Sequence, residues 1–248
     1  MRPLIEKTLI IAHRGASAYA PENTMEAFEL AAQMGADGIE LDIHLTSDGQ
    51  VVVCHDEKVD RTSNGQGLIT SYTLEELRAM DFGYHFYDKE RKGIKVPTLD
   101  EVYALVAPLG MIVNVEIKSA DPAIIPLCHE LAKKHGMEKK VIYSSFDHFQ
   151  IARMKEYDST AFIAPLYGFN MLNPWNYCVD IGARATHPKH TQIRKLENYV
   201  KECHNRGIRV HVWTANTEEE IRFLLDAGVD AIITNYPNVA KKLRENAQ

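Results

Sequence analysis

Three acidic residues are spaced so that β-strands would turn their side chains to one side. Glu40 and Asp42 stand two residues apart in a short apolar run, residues 38–43 (GIELDI), and Glu116 stands in a second run (VNVEIK). Successive side chains of a strand point to opposite faces, so Glu40 and Asp42 share a face. Lys118 shares a face with Glu116 for the same reason. We expect these groups to converge if both runs belong to one sheet.

Converging carboxylates repel one another strongly unless a cation neutralises them. Oxygen donors alone are typical of Mg²⁺ or Ca²⁺ sites, whereas zinc usually takes cysteine or histidine, and neither accompanies these acids. A single acid beside a lysine, such as Glu116 beside Lys118, would be read as a core ion pair. Two acids in one strand with a third nearby are hard to explain by packing. The pattern therefore predicts a divalent-cation site held by Glu40, Asp42 and Glu116.

Two histidines stand near strand ends, each beside a charged neighbour. His13 precedes Arg14 after the first apolar run, and His55 precedes Asp56 after an extended run, residues 50–54. A lone histidine in such a place is often only hydrogen-bonded, but two at adjacent edges can serve as base and acid. Arg14 offers a planar fork to phosphate oxygens. With a cation, these groups indicate phosphoryl chemistry, and the absence of GxxxxGK[ST] argues against P-loop nucleotide handling.

The elements that would hold these residues alternate regularly along the 248-residue chain. Eight strand candidates cover residues 8–12, 38–43, 111–117, 140–144, 160–165, 180–186, 208–214 and 230–234. Strands that alternate with helices indicate a parallel sheet, and eight such units match a closed (β/α)8 TIM barrel better than an open sheet, whose first turn would carry GxGxxG. In a barrel the apolar faces contact the helices. The acids would then point inward, and the reactive groups would lie at the carboxyl ends of the strands.

Helical patterns separate the strand candidates, with one interruption. They cover residues 23–34, 99–106, 122–135, 146–157, 193–206, 217–227 and 239–244, while residues 167–178 carry no clear helical signal. Thr217 with Glu220 is typical of a helix start, and Gly35 of a helix end. Residues 56–97 form a polar insertion that is too long for an ordinary connection. A lid over the site and a purely structural excursion are both compatible with its position.

Composition sets the broad class. The net charge of −6 makes a general nucleic-acid-binding surface unexpected, because phosphate backbones are held mainly by Lys and Arg. Four scattered cysteines without a CxxC pair favour reduced, buried thiols. Glu6 and Lys7 interrupt any apolar leader, and no run of 18 apolar residues occurs. We expect a cytoplasmic enzyme with no stable membrane insertion. The sequence leaves its oligomeric state open.

A series of motifs resembles one enzyme family. These are AHRGASAYAPENTMEAFELAAQMGADGIELDIHLTSDGQVVVCHD, DRTSNGQG, VPTLDEV, VNVEIK, VWTAN and ITNYP, which extend from about His13 to Pro237. The chain resembles the glycerophosphodiester phosphodiesterases over nearly its whole length. The resemblance implies one domain over residues 1–248, a TIM barrel with a small inserted subdomain after strand 2, at about residues 56–97.

The resemblance also implies residue roles. Glu40, Asp42 and Glu116 would hold the metal, and His13 and His55 would be the general acid–base pair. Arg14 and Lys118 would bind the phosphate, and Trp213 would be the aromatic residue of the glycerol pocket. The implied reaction converts a glycerophosphodiester and water into sn-glycerol 3-phosphate and an alcohol.

Three positions stay open at this point. Asn235 departs from the family, which more often shows Asp after the last strand, so any role that needs a negative charge there is in doubt. His187 and His190, in THPKH, are ambiguous, and His187 could touch substrate. The other seven histidines lack a comparable context and are expected to be structural.

Two alternative functions are compatible with the same motifs. A phospholipase of similar barrel chemistry would act on intact lipids, but it would need an apolar rim, and two tryptophans with no basic amphipathic stretch argue against one. A non-catalytic glycerophosphodiester-binding protein would be expected to lack some of the catalytic residues, and all are present. The preferred head group, the metal, the acid and base roles of the histidines, and the nucleophile (water or the glycerol 2-hydroxyl) are not decided by the sequence.

Overall fold

The computed structural model describes residues 7–246; residues 1–6, on which the expectation of no leader partly rests, and residues 247–248 lie outside that range. Within it the strands are β1 (Leu9–His13), β2 (Gly38–Leu45), β3 (Val51–Val53), β4 (Ile112–Ile117), β5 (Val141–Ser145), β6 (Ile163–Tyr167), β7 (Ala185–Pro188), β8 (Arg209–Val212) and β9 (Ala231–Thr234).

Eight of these strands close into a parallel ring. Neighbouring strands follow the order β1, β9, β8, β7, β6, β5, β4 and β2, and β2 pairs with β1 to complete the circle. The extended run at residues 50–54 becomes β3, which pairs antiparallel with β2 outside the ring. The predicted TIM barrel is confirmed, because each of the eight strand candidates overlaps one strand of the closed ring.

Helices separate most of the strands, and those outside the inserted residues 56–97 cover the ring. They are α1 (Met25–Gln33), α2 (Leu74–Arg78), α3 (Leu99–Val106), α4 (Ile124–Lys134), α5 (His148–Tyr157), α6 (Pro174–Asp180), α7 (His190–Lys195), α8 (Tyr199–His204), α9 (Glu218–Asp226) and α10 (Pro237–Asn246). Thr217 caps α9 and forms a capping box with Glu220, and Gly35 follows α1 with a φ of 75°. These two sequence-based end signals are confirmed.

The alternation of side chains along β2 explains which face carries chemistry. Ile39, Leu41 and Ile43 are fully buried in the layer between strands and helices, where they belong to the main apolar core. Glu40 and Asp42 therefore point into the barrel. Ile11 of β1 lies inside the barrel in a small cluster with Ala231 and Ile233. The interior is thus apolar at this level and polar at the carboxyl ends of the strands.

Residues 56–97 carry little regular structure but have an apolar cluster of their own. They hold two 3-10 helices, Val59–Arg61 and Ile69–Ser71, and the short helix α2. Their buried side chains join β3 in one cluster: Val52, Cys54, Val59, Ile69, Leu77, Phe82 and Val96. The division of residues 1–248 into one domain with this insertion stays a prediction.

Two sequence-based expectations between β6 and β8 were wrong. The helix expected over residues 193–206 is two helices, α7 and α8, because Asn198 between them takes a left-handed φ of 61°. The strand expected over residues 180–186 begins only at Ala185, because the unpredicted helix α6 extends to Asp180. Asn173 precedes α6 in a left-handed conformation and makes no side-chain cap hydrogen bond. The Asn173–Pro174 pair is nevertheless a common helix start that the sequence analysis missed.

Two further expectations can be compared with the structure. All four cysteines are unpaired and buried, as predicted. Among residues 7–246, no helix combines the length and the apolar character that crossing a bilayer would require.

Candidate active site

The register of three neighbouring strands brings the predicted acids together. His13 of β1 stands opposite Glu40 of β2, and Asp42 of β2 stands opposite Glu116 of β4. One carboxylate oxygen from each of Glu40, Asp42 and Glu116 lies within 4.8 Å of the others, and all three residues are buried. The expected convergence of the three acids is therefore present in the structure.

Arg14 follows β1 in a tight turn that aims it across the acids. Its φ is 57°, and Gly15 follows with a φ of 80°, where a Cβ would stand only 2.6 Å from the Ala27 carbonyl carbon. The Arg14 backbone N–H donates to Glu40 Oε2 over 2.9 Å, and its guanidinium donates to Glu22 Oε1 over 2.9 Å. Arg14 Nε lies 3.5 Å from Asp42 Oδ2.

The side chain of Asn23 fixes Asp42 from the loop before α1. Asn23 Nδ2 donates to Asp42 Oδ2 over 2.8 Å, and Asn23 takes a left-handed φ of 58°. The asparagine lies in the PENT motif, but its contact with Asp42 was not anticipated. Asx residues tolerate this left-handed conformation, which is a local sequence signal for such a position.

Each of the two histidines has its Nδ1 engaged by a different neighbour. His13 Nδ1 lies 2.7 Å from Asn235 Oδ1, and His55 Nδ1 lies 2.6 Å from Asp56 Oδ1. Because both oxygens accept, Nδ1 carries the proton in the neutral rings, and Nε2 presents its lone pair. His13 Nε2 lies 3.9 Å from Glu40 Oε2, at the edge of the acid cluster.

Arg61, from the first 3-10 helix of the insertion, links the two sides of the site. Its Nε donates to Asp56 Oδ2 over 2.6 Å, and its two terminal nitrogens donate to Glu22 over 2.8 Å and 2.7 Å. Glu22 is the residue that also holds Arg14. The chain of contacts therefore extends from His55 through Arg61 to Arg14. This chain of contacts was not anticipated, because Glu22 and Arg61 are 39 positions apart along the chain.

Lys118 stands between the acids and His55. Its Nζ lies 2.5 Å from Glu116 Oε1, 3.4 Å from Asp42 Oδ1 and 3.1 Å from His55 Nε2. Burial works to lower the pKa of Lys118, but Asp42 and Glu116 outweigh it and raise that pKa. Lys118 is therefore a charged ammonium at neutral pH, at the position where the family resemblance implies a phosphate contact.

The electrostatics of the acids favour a cation between them. Burial, together with the neighbouring acids, raises the pKa of Glu40 well above its ordinary value and that of Glu116 to about 7. Burial also acts to raise the pKa of Asp42, but Arg14 and Lys118 lower it. Asp42 Oδ1 is buried and accepts no hydrogen bond of good geometry from residues 7–246. This oxygen-only donor set fits a hard divalent cation.

A cavity of about 100 Å³ brings the groups together. Seven of the eight predicted site residues line it: His13, Arg14, Glu40, His55, Glu116, Lys118 and Trp213. The eighth, Asp42, is fully buried and is not part of the lining. Trp213 is fixed by its Nε1, which donates to the His187 carbonyl over 2.8 Å. Asn114 and Phe146, which also line the cavity, were missed. Strand alternation from Glu116 could have found Asn114, which stands opposite Glu40.

His187 lies outside this cavity. It is fully buried inside the barrel, where its Nε2 lies 3.0 Å from His211 Nδ1. Burial lowers the pKa of His187 to about 3, so the ring is neutral. The possibility of a direct substrate contact through the His187 side chain finds no support in this placement; instead its carbonyl positions Trp213. His190 does not line the cavity either; its Nδ1 lies 3.4 Å from Glu220 Oε1 of α9.

Comparison with known proteins gives a consistent result. A model of the glycerophosphoryl diester phosphodiesterase family matches residues 13–239. A glycerophosphodiester phosphodiesterase of Caldanaerobacter subterraneus subsp. tengcongensis is 41% identical over 234 residues, 93% of this chain and 95% of that protein. One of Bacillus altitudinis is 37% identical over 242 residues, 96% of this chain and 98% of that protein.

Solved structures agree with these sequence matches. A phosphodiesterase of Oleispira antarctica, in complex with the product sn-glycerol-3-phosphate, superposes with a TM-score of 0.86 at 27% identity, covering 96% of this chain and 97% of the other. A glycerophosphodiester phosphodiesterase of Agrobacterium tumefaciens superposes with a TM-score of 0.84 at 28% identity, covering 95% and 99%.

Proposed function

The chain belongs to the glycerophosphoryl diester phosphodiesterase family, and from this premise we propose that it hydrolyses glycerophosphodiesters to sn-glycerol 3-phosphate and an alcohol, by histidine acid–base catalysis at a divalent cation. The observation that carries the proposal is one cavity that brings together three acids, two histidines, an arginine and a lysine. A binding protein has no need of paired histidines beside a metal site. The Oleispira relative, in complex with sn-glycerol-3-phosphate, supports the same product for this chain.

Glu40, Asp42 and Glu116 would hold the cation, Mg²⁺ or Ca²⁺. When bound, such an ion neutralises charge that develops on the phosphoryl oxygens and orients the diester. The chain itself supplies the remaining positive charge. Lys118 contributes its ammonium, and Arg14, which also lines the cavity, contributes its guanidinium.

His13 and His55 would move the protons. Each presents Nε2 to the cavity with Nδ1 fixed by its own acceptor, so each ring can take a proton at that atom or return one. One ring removes the proton of the nucleophile, and the other protonates the leaving alkoxide. Asp56 would stabilise positive charge on His55, whereas Asn235 offers His13 only a neutral amide.

Single substitutions test the pair. We expect both His13→Ala and His55→Ala to lower kcat on glycerophosphocholine by about 10²- to 10⁴-fold. The variant that lacks the acid should recover on a glycerophosphodiester with a p-nitrophenol leaving group, which needs no protonation, and this difference assigns the two roles. Near-wild-type kcat in either variant would remove that histidine from the mechanism.

The nucleophile and the metal have separate tests. Release of a cyclic glycerol phosphate, seen by ³¹P NMR, would identify the glycerol 2-hydroxyl as the nucleophile, and its absence at every stage would favour water. After dialysis against a chelator, we expect activity to be lost and to return with Mg²⁺ or Ca²⁺. Full activity in metal-free buffer would contradict the carboxylate site. A cytoplasmic location stays a prediction.

A further inference from the structure

A second, larger cavity lies beside the catalytic one, at the carboxyl ends of β5 and β6. It has a volume of about 640 Å³, and its lining is mostly apolar. We call it the apolar groove and define it by Phe146, Phe149, Leu166, Phe169, Met171 and Ile181. The Phe149 side chain is 76% exposed and that of Phe169 is 62% exposed. Neighbouring exposed apolar residues of this kind mark a binding surface more often than a neutral one.

The apolar groove is continuous with the catalytic cavity. Phe146 and Leu166 line both. The Phe146 ring stands edge-on to Trp213, with ring centroids 5.4 Å apart, and Lys118 Nζ lies 5.8 Å from the Phe146 centroid. Phe146 therefore separates the proposed phosphate and glycerol contacts from the groove. A substrate held at Lys118 and Trp213 would have this apolar surface next to its glycerol end.

We propose that the apolar groove binds the acyl chain of a lysophospholipid, so that monoacyl glycerophosphodiesters are substrates of the same site. This rests on the proposed function, because the phosphodiester must bind at Lys118 and Arg14. The volume is that of a pocket for one small ligand, which favours a single chain over two. The sequence argument against an apolar rim counted tryptophans, whereas the rim is built from phenylalanines.

The chemistry is that of the smaller substrate. In lysophosphatidylcholine the nucleophile, either water or the glycerol 2-hydroxyl, bonds to phosphorus and the P–O bond to choline breaks; in the second case water then opens the cyclic phosphate. One histidine takes the proton of the nucleophile, and the choline alkoxide takes a proton from the other. The products are lysophosphatidic acid and choline, and the acyl ester is untouched.

A chain-length series tests the proposal directly. With the metal-loaded protein, choline release is measured from glycerophosphocholine and from its hexanoyl, octanoyl and decanoyl lyso derivatives below their micelle concentrations. Each methylene that becomes buried should raise kcat/KM by up to about fourfold, through KM, until the groove is full. Hydrolysis of glycerophosphocholine with kcat/KM that falls or stays level along the series would overturn the proposal while leaving the proposed function intact. If another glycerophosphodiester is hydrolysed and glycerophosphocholine is not, the same series is made with that head group. No release of sn-glycerol 3-phosphate from any of a panel of glycerophosphodiesters would instead refute the proposed function.

Matched variants locate the effect. Phe149→Ser and Phe169→Ser change exposed side chains, so the fold should tolerate both. We expect each to lower kcat/KM on the decanoyl substrate about tenfold and to leave glycerophosphocholine unchanged. Leu109→Ser removes another exposed apolar residue, 55% exposed, just before β4 at the opposite end of the barrel, and should change neither. Equal chain-length dependence in all three variants would overturn the assignment to this groove.

A membrane surface is the competing occupant. It is tested by co-sedimentation with diacyl phosphatidylcholine vesicles. Loss of vesicle binding in Phe149→Ser without any change in the chain-length series would mean that the phenylalanines dock on lipid, and the acyl-chain proposal would be wrong. Absence of vesicle binding with a steep chain-length series supports the groove.

Discussion

At the scale of single residues, the two proposed catalytic histidines differ in what holds them. His55 donates to the carboxylate of Asp56, while His13 donates to the amide of Asn235. Burial and the neighbouring Arg14 lower the pKa of His13 to about 4. The neutral Asn235 does not offset these effects with a charge. Two rings that both engage an acceptor through Nδ1 therefore have different electrostatic surroundings.

Replacement of Asn235 by aspartate should change the titration of His13. A carboxylate beside Nδ1 stabilises the imidazolium, so we expect Asn235→Asp to raise the pKa of His13 by about one to three pH units. NMR titration of the His13 ring measures it. If the reaction needs neutral His13, loss of activity on the acid side should begin at higher pH. The exposed control Asn205→Asp should leave both unchanged, and an unmoved His13 titration in Asn235→Asp would contradict the interpretation.

Removal of Arg61 should disturb the site indirectly, through its partners Asp56 and Glu22. Arg61→Gln frees Asp56 and Glu22 and so loosens His55 and Arg14 together; we expect kcat to fall about tenfold, as for other supporting residues. Arg61→Lys should recover part of the loss. The control is Arg78→Gln, which removes another arginine of the insertion and breaks its exposed contact with Glu101 of α3. A kcat equal to wild type in Arg61→Gln would show that the contacts are only structural.

Metal affinity should depend on pH through Glu116. Its pKa of about 7 means that below neutrality the metal-free carboxyl holds a proton that the cation must displace. We expect the affinity for Mg²⁺, measured by calorimetry, to fall by up to about tenfold per pH unit below 7 and to level off above 8. The same affinity at pH 6 and pH 8 would contradict this view of the acids.

At the scale of elements, the insertion is organised by a buried carboxylate rather than by helices. Asp81 is buried, and its two oxygens accept from four backbone N–H groups: those of Gly83, Lys92, Gly93 and Ile94. Burial acts to raise the pKa of Asp81, but these four donors lower it. One side chain thus closes a loop that has no regular structure to hold it.

Substitution of Asp81 should therefore loosen the insertion selectively. Asp81→Asn removes the charge and replaces one acceptor oxygen with a donor, and we expect a loss of about 2 kcal/mol in the local stability of the loop. Hydrogen exchange and limited proteolysis should show it within residues 56–97 and leave the barrel protected. Asp88→Asn, on the exposed part of the same loop, is the control. Uniform protection in Asp81→Asn would contradict the assignment.

The sequence predicted helices and strands well where the apolar periodicity was strong. It predicted them poorly where a residue takes an uncommon, left-handed backbone conformation. Seven of the eight barrel strands and the inward acids agree with the sequence pattern, and the eighth, β7, was placed too early along the chain. The break at Asn198 and the start at Asn173 depend on single left-handed residues, which no apolar period reveals. In the site, Glu40, Asp42 and Glu116 could be predicted because register joins them. The Glu22–Arg61 contact could not, because tertiary packing alone brings those residues together.

At the scale of the whole molecule, the last helix is tied to the beginning of the chain. Arg244 of α10 is almost fully buried, donates to the Thr8 carbonyl over 2.8 Å and pairs with Asp37, which also accepts from the Ile10 N–H. These contacts lie at the amino end of the barrel, opposite the site. They hold β1 and α10 together where the ring begins and ends.

Loss of this contact should affect stability and not chemistry. Arg244→Met leaves Asp37 without its cation and the Thr8 carbonyl without its donor, and we expect unfolding free energy to fall by about 2 kcal/mol. Chemical denaturation measures it, and kcat should not change at temperatures where the variant is folded. Arg222→Met removes an exposed pair with Glu218 and should cost less than about 0.5 kcal/mol. Equal effects of the two substitutions would be contrary to this account.

The hydrogen bond between His13 and Asn235 joins residues 222 positions apart, across the pairing of β1 with β9. During synthesis the first partner is made 222 residues before the second. The proposed catalytic imidazole therefore gains its orienting neighbour only when β9 docks beside β1. Turnover should switch on in a single event once the segment that contains β9 has left the ribosome, which would make product release a reporter of barrel completion in a cell-free translation assay.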